Sequence, residues 1–560
     1  MTNDSYDLAS VKLPKAGGAA LAALVRAMEG PLRGLLIGNL LKNAGVTGFR
    51  RLVIDEPPSC RPELGSGGDD ATANGPAKPV LPSTAPDVPG ERPPGVRDFA
   101  EAYRTGRTGP VEVAERVLAA IEASDAGAAP LRAFIAFDRE AVLRQARASA
   151  ERLARGEPLG PLDGVPVAVK DEVDMLPHPT TVGTRFLGAA PPPRDATVVA
   201  RLRAAGAVLL GKTNMHEIGI APTGFNPHHG QVRNPYDPDR DTGGSSSGSA
   251  AAVAAGLCPL AVGADGGGSI RIPSSFCGVV GLKATFGRVS EAGAAPLCWS
   301  VAHLGPIAAT VEDAALGYAV MAGPDPRDPG TLAQPAPAAP DLQRRDLRGT
   351  TVGIFRPWFE HAQPAVVEAC ERAVRTLERA GARLHEVHIP DLDAVRVAHA
   401  VTILSEMAAA MAPWDGEHRK DFGLDSRLLL ALAREFTATD YVLAQRVRTR
   451  AVRRFLAVLE EVDVLATPAA AVTAPPIPRD LARGESDTST VVEVMRFAFP
   501  GNFTGLPAVV VPVGYDPSGL PIGLQLMGRP WHEHRLLELA RTVEATVERR
   551  RPGRFFDILP

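Results

Sequence analysis

The chain is poor in cysteine: Cys60, Cys258, Cys277, Cys298 and Cys370 are the only five in 560 residues, odd in number and without regular spacing. That excludes a disulfide framework and suits a reducing, cytosolic setting. Charge of one sign is also scarce. Sixty basic against 64 acidic side chains leave a formal net charge of −4, where a general nucleic-acid binder carries a strong basic excess, so no nucleic-acid partner is expected. The opening residues, MTNDSYDLAS, lack the basic stretch and apolar run of a secretory signal. Metal and nucleotide motifs are missing as well. His216-Glu217 has no second histidine for H-E-x-x-H, His228-His229 has no companion ligands at useful spacing, and neither glycine-rich cluster matches a P-loop or G-x-G-x-x-G. No cofactor and no metal are expected.

What is present is enough apolar sequence for a large core: 45% hydrophobic against 22% charged residues. Residues 242–264 hold no charge, but they begin with a Gly/Ser run and contain Pro259, so they read as buried core and not as a membrane span. Residues 1–56 form a distinct section. Apolar side chains recur at helical spacing in 19–29 and 32–42, around a Gly30-Pro31 break with proline placed in the first turn of the second helix. Two such short helices suit docking on the chain's own core, a partner surface, or one membrane leaflet. Residues 57–95, dense in Pro, Gly, Ser and Asp, read as a linker or wrapping segment. From residue 96 to 560 strands alternate with helices and a hairpin closes on Asp516-Pro517-Ser518-Gly519. This pattern predicts an α/β fold: a central mixed β-sheet covered by helices on both faces.

Two serine-bearing glycine clusters carry the chemistry. Gly244-Ser245-Ser246-Ser247-Gly248 satisfies G-x-S-x-G, but a polar, turn-rich loop precedes it where a nucleophile elbow needs a buried strand. Asp265-Gly266-Gly267-Gly268-Ser269-Ile270-Arg271 does follow a short apolar strand, Leu260–Gly263. Three glycines before a serine leave successive N–H groups free to converge on an anion, as an oxyanion hole requires. The hydroxyl still needs a base. No His-Asp pair sits in a partner motif, and Lys170 ends the apolar strand at 165–169. Burial there would favour the neutral amine that a base must be.

Lys170, the Gly-Gly-Ser-Ser-Ser-Gly-Ser run and Asp-Gly-Gly-Gly-Ser-Ile-Arg, in that order, resemble the amidase signature family, with Ser245 and Ser269 spaced as its motif has them. Within it the chain is most similar to plant-type fatty acid amide hydrolases, through GKTNMHEIG (211–219), NPYDPDRDTGGSSSGSAAAVAAGLC (234–258), the 265–288 run, 511–531, and the N-terminal helices with Arg61-Pro62-Glu63. The resemblance implies the amidase-signature fold with an N-terminal helical cap. It implies a Ser–cis-Ser–Lys triad: Ser269 as nucleophile, Ser245 as proton relay, Lys170 as base. It further implies an oxyanion hole from the N–H groups of Gly266, Gly267, Gly268 and Ser269, with Ser246, Asp265 and Arg271 in support. The expected substrate is a lipid amide of the N-acylethanolamine type. Alternatives are a small or aryl amide, or a glutamyl-tRNA amidotransferase-like role; a non-catalytic scaffold is disfavoured by the intact triad. Met215, Met495, Phe497 and Phe499 are candidate substrate-channel residues. Peripheral membrane contact through residues 19–42 and a homodimer complete the expectation.

Overall fold

The computed structural model describes residues 6–8, 15–65, 88–478 and 484–560. Most of the expected linker, residues 66–87, lies outside them. The described strands are β1 (Ala16–Gly17), β2 (Phe134–Phe137), β3 (Pro166–Lys170), β4 (Val208–Thr213), β5 (Leu260–Ala264), β6 (Val280–Lys283) and β7 (Leu304–Ala308). They continue with β8 (Thr351–Ile354), β9 (Arg383–Glu386), β10 (Val464–Pro468), β11 (Glu485–Ser486), β12 (Ala508–Tyr515) and β13 (Pro521–Gly528). Eleven of them form one sheet in the order β2-β4-β3-β5-β7-β6-β12-β13-β10-β8-β9, while β1 pairs with β11 apart from it. The sheet is mixed: β3 runs parallel to β4 and β5, β8 parallel to β9 and β10, and the other pairings are antiparallel.

Side chains alternate across a strand, so each face buries its own core. Val464 and Ala466 of β10 join one cluster, with helices such as Pro110–Ser124 and Pro364–Arg379. Leu465 between them joins a second cluster, with helices Leu392–His418 and Ala438–Glu461. Local chemistry sets the element ends. Pro110 opens its helix where its missing N–H costs nothing. Asp138 caps the next helix by accepting from Ala141 N at 3.0 Å. Asp516 closes the β12–β13 hairpin by accepting from Ser518 N and Leu520 N at 2.8 and 2.9 Å.

Residues 242–264 are buried throughout, as helix Ser247–Ala254 followed by β5. Among the described residues, one helix is long and apolar enough to cross a membrane, and it lies elsewhere, at Leu392–His418. Three of its polar side chains are tied into the protein: His399 to Gly266 O, Thr402 to Gln445, and Glu406 to Ser300.

The two N-terminal helices differ in how they are held. Gly18–Met28 buries Leu21, Val25 and Met28 against Leu428 and Ala431 of helix Leu424–Ala433. Arg33–Asn43 buries only Leu41 and leaves Leu35 77% exposed, and Leu32 just before it is 54% exposed. Pro31 stands outside that helix, whose N-cap is Leu32, and not in its first turn as the Gly30-Pro31 pair predicts. Beyond these helices, the chain follows Ala438–Glu461. Arg446 Nε donates to Glu56 O at 2.8 Å, Thr449 Oγ1 to Pro57 O at 2.7 Å, and Trp531 Nε1 to Gly65 O at 3.0 Å.

Candidate active site

β3 and β5 lie side by side and parallel, which brings Lys170, the last residue of β3, beside the loop that leaves β5. Lys170 Nζ is 2.9 Å from Ser245 Oγ and 3.3 Å from Ala264 O. Ser245 follows a cis peptide bond from Gly244. Its carbonyl accepts from His216 N at 3.2 Å, and the next residue, Ser246, donates its N–H to Ser269 O at 3.2 Å. The two serine segments are thus pinned backbone to backbone. Ser246 Oγ turns to Ala264, donating to its carbonyl at 3.1 Å and accepting from its N–H at 3.2 Å. Lys170 is fully buried, Ser245 is 2% exposed and Ser269 9%. Of the three, Ser269 is the least buried.

One neighbour was not anticipated from the sequence. Glu172 lies 2.7 Å from Lys170 Nζ. Burial is therefore not the lysine's only environment: a carboxylate stands beside it, two residues further along the chain.

The loop 265–271 is built around Asp265. Its carboxylate accepts from Gly268 N at 2.6 Å and Ile270 N at 3.1 Å, and it is paired with Arg271, whose Nε and Nη2 stand 3.0 and 3.1 Å away. Burial opposes its ionisation, but Arg271 and Lys283, with Asn502, hold the carboxyl well below the usual range. Arg271 reaches on to Gln525 Oε1 at 2.6 Å and Asn502 Oδ1 at 2.5 Å. The expectation of four converging donors needs a correction here. Gly268 N–H is committed to Asp265 and is not free. Among the described residues the N–H groups of Gly266, Gly267 and Ser269 donate to no protein acceptor. Three free donors beside the serine hydroxyl form a site that can bind an oxyanion developing on a carbonyl held at Ser269.

The amidase family matches residues 112–537. This chain belongs to the amidase family. It is 40% identical to the fatty acid amide hydrolase of Oryza sativa subsp. indica over 586 residues, covering 99% of this chain and 96% of that protein. It is 39% identical to a glutamyl-tRNA(Gln) amidotransferase subunit of Chloroflexus aggregans, covering 80% of this chain and 95% of that one. Among solved structures, the peptide amidase from Stenotrophomonas maltophilia superposes with a TM-score of 0.71 at 32% identity, over 83% of this chain and 98% of that one. The architecture above is the amidase-signature fold, and the protein is a hydrolase acting on amide bonds.

The substrate-channel candidates of this amidase divide. A Cβ built on Gly267 would meet Met495 Cε at 2.7 Å, so Met495 lies directly on the loop. Met215 Cε and Ser245 Oγ both approach Gly219, at 3.7 and 3.3 Å from where its Cβ would be. Phe499 stands 6.4 Å, ring to ring, from His399, which itself bonds the loop. Phe497 is different. Met215 and Phe499 are buried as it is, but its ring meets Trp358 at 5.5 Å, and its carbonyl accepts from Gln525 Nε2. It packs in the core because it sits just before the helix Phe499–Phe503, on the side facing Trp358. The histidines set aside as metal ligands are paired: His216 Nε2 with Asp425 at 3.1 Å and His228 Nε2 with Glu217 at 2.6 Å. Sequence reading missed Glu172, His399, Asn502 and Gln525. Glu172 was within reach, as an acid at i+2 of a candidate base. The others come from remote segments with no local motif.

Proposed function

We propose that this amidase hydrolyses fatty acid amides of the N-acylethanolamine type, through an acyl-enzyme on Ser269. The observation that carries the lipid reading is coverage. The rice fatty acid amide hydrolase matches 99% of the chain, whereas the amidotransferase relative leaves a fifth of it unmatched. Surface exposure agrees, since helix Arg33–Asn43 carries apolar side chains to the surface.

In this reading Ser269 Oγ attacks the amide carbonyl and an O–C bond forms. Its proton passes to Ser245 Oγ, whose own proton passes over the 2.9 Å contact to Lys170, the base. Glu172 then stabilises the ammonium. The oxyanion rests on the N–H groups of Gly266, Gly267 and Ser269. As the C–N bond breaks, the proton returns through Ser245 to the leaving amine. Water repeats the path, releasing the fatty acid and freeing Ser269. Ser246, Asp265 and Arg271 hold the loop.

Residues 15–54 act as a cap that rests on a membrane through Leu32 and Leu35, and the chain associates as a homodimer, as the family resemblance implies. A panel of acetamide, glutamine, an aryl anilide and long-chain acyl ethanolamides tests the substrate. The expected order is longest chain first. A preference for acetamide or glutamine would overturn the lipid reading while leaving the triad in place.

A further inference from the structure

We propose that His399 is a positioning residue for the reaction at Ser269, aiming one oxyanion-binding N–H through the far side of its peptide group. The proposal rests on the reading of Ser269 as nucleophile and adds a residue remote from it in sequence, on helix Leu392–His418.

Each free donor of the loop belongs to a peptide plane whose carbonyl points the opposite way, because these bonds are trans. Fixing the carbonyl therefore fixes the direction of the N–H. All three carbonyls are held. Asp265 O, in the plane of Gly266 N–H, accepts from Asn502 Nδ2 at 2.7 Å. Gly268 O, in the plane of Ser269 N–H, accepts from Ile272 N at 2.7 Å. Gly266 O, in the plane of Gly267 N–H, accepts from His399 Nε2 at 2.8 Å. The first and third holds come from side chains remote in sequence, and Asn502 has the additional task of bracing Asp265. His399 has a single described hydrogen bond from its ring, to Gly266 O. It is the member that can be altered without touching the Asp265–Arg271 pair.

A carbonyl accepts only, so Nε2 carries the hydrogen. Burial, with Arg448 and Arg271 nearby, lowers the imidazole to about 4, so the ring is neutral at pH 7 with the proton on Nε2. A donor on Gly266 O also polarises the peptide and strengthens Gly267 N–H as a donor. The ring has a second hold: His399 Cε1 would be 3.1 Å from a Cβ on Gly267, and Phe503 meets the ring edge-on at 6.2 Å. The glycine at 267 is what lets the imidazole and Met495 close over the peptide.

The experiment compares His399→Gln with His399→Asn in the full-length protein. The glutamine amide nitrogen takes the place of Nε2, whereas the asparagine amide corresponds to Nδ1 and ends short of Gly266 O. Steady-state hydrolysis of decanoyl p-nitroanilide and the rate of labelling by a fluorophosphonate are measured, with thermal melts as the folding check. Loss of one oxyanion donor costs about 10²–10³ in rate, and loss of its aim a part of that. For His399→Asn we expect kcat down about 10–100-fold, KM within about threefold, and labelling slowed in step; for His399→Gln, kcat within about fivefold of wild type. Equal activities for the two variants, or an effect confined to KM, would overturn the assignment. If His399→Asn does not fold, His399→Gln alone decides, since a kcat more than about 10-fold low in a folded glutamine variant contradicts it. Ser269→Ala separates the two claims: undiminished labelling there removes the nucleophile and this proposal together, while abolished labelling with a fully active His399→Asn removes only the role of His399.

Discussion

The loop 265–271 and the N-terminal helices 18–43 are both short and rich in small or apolar residues, yet they are held by opposite means. In the loop, Asp265, Arg271, Asn502 and Gln525 are wholly buried and form a closed set of hydrogen bonds. Each member satisfies another, so removing one strands a charge or a donor in a dry interior. The helices are held by an apolar strip, Leu21, Val25 and Met28, and by ion pairs at the rim such as Glu29–Arg427 and Arg33–Glu435. Apolar contacts and rim pairs weaken in small increments. The difference separates a part that must keep its geometry from a part that must only stay attached.

The largest effect we expect is at Arg271. Arg271→Met leaves the Asp265 carboxylate buried and unpaired and should destabilise the protein by about 3–5 kcal/mol, measured by chemical denaturation, with hydrolysis lost. A smaller loss would mean that Lys283 and Asn502 suffice to hold Asp265. Next is Leu21→Ala, a fully buried cap residue, for which truncation costs about 2–5 kcal/mol. That cost should fall on the cap alone: earlier proteolysis within residues 15–54, with hydrolysis of a short soluble anilide unchanged. Loss of short-amide activity would show that the cap also supports the loop.

How much of this was open to sequence reading follows the same division. Lys170 at the end of an apolar strand and Ser269 after three glycines were legible because strand, turn and glycine run are local patterns. The helix pair and its break were legible from the spacing of apolar residues. The bracing of the loop was not, because His399, Asn502 and Gln525 reach it from helices and a strand far downstream of it. The reading of Gly268 as a free donor failed for a nearer reason: the side chain of Asp265, close before it in the same loop, takes its N–H. An Asp placed to fold back on a following turn was the available signal. Met495 and Phe497 have different neighbours, the loop and Trp358, because residues 496–498 turn between helices Thr488–Met495 and Phe499–Phe503.

A third test concerns acid stability. His399 is lowered to about 4 in the folded chain against about 6.5 unfolded. Between those values the unfolded chain binds a proton that the folded chain does not, so this residue's contribution to stability falls as pH is lowered through the window. Asp241 and Asp313, raised to about 6 and about 7, act with the opposite sign. Only the difference between wild type and His399→Gln is therefore informative, and it should change by about 3 kcal/mol from pH 7 to pH 4. A pH-independent difference would contradict a buried, neutral imidazole. The smallest expected effect is at Leu35, which is 77% exposed. Leu35→Asp should leave stability within about 0.5 kcal/mol while reducing flotation with phosphatidylcholine–phosphatidylserine vesicles. Unchanged flotation would remove the membrane role from the cap.

The central claim is that amide hydrolysis passes through Ser269. Intact-mass spectrometry after rapid acid quench of a reaction with decanoyl p-nitroanilide tests it directly, followed by peptide mapping. The account predicts one decanoyl adduct on Ser269, absent in Ser269→Ala and slow to form in Lys170→Ala. An adduct on Ser246 or any other residue, or turnover by Ser269→Ala at the wild-type rate, would contradict it.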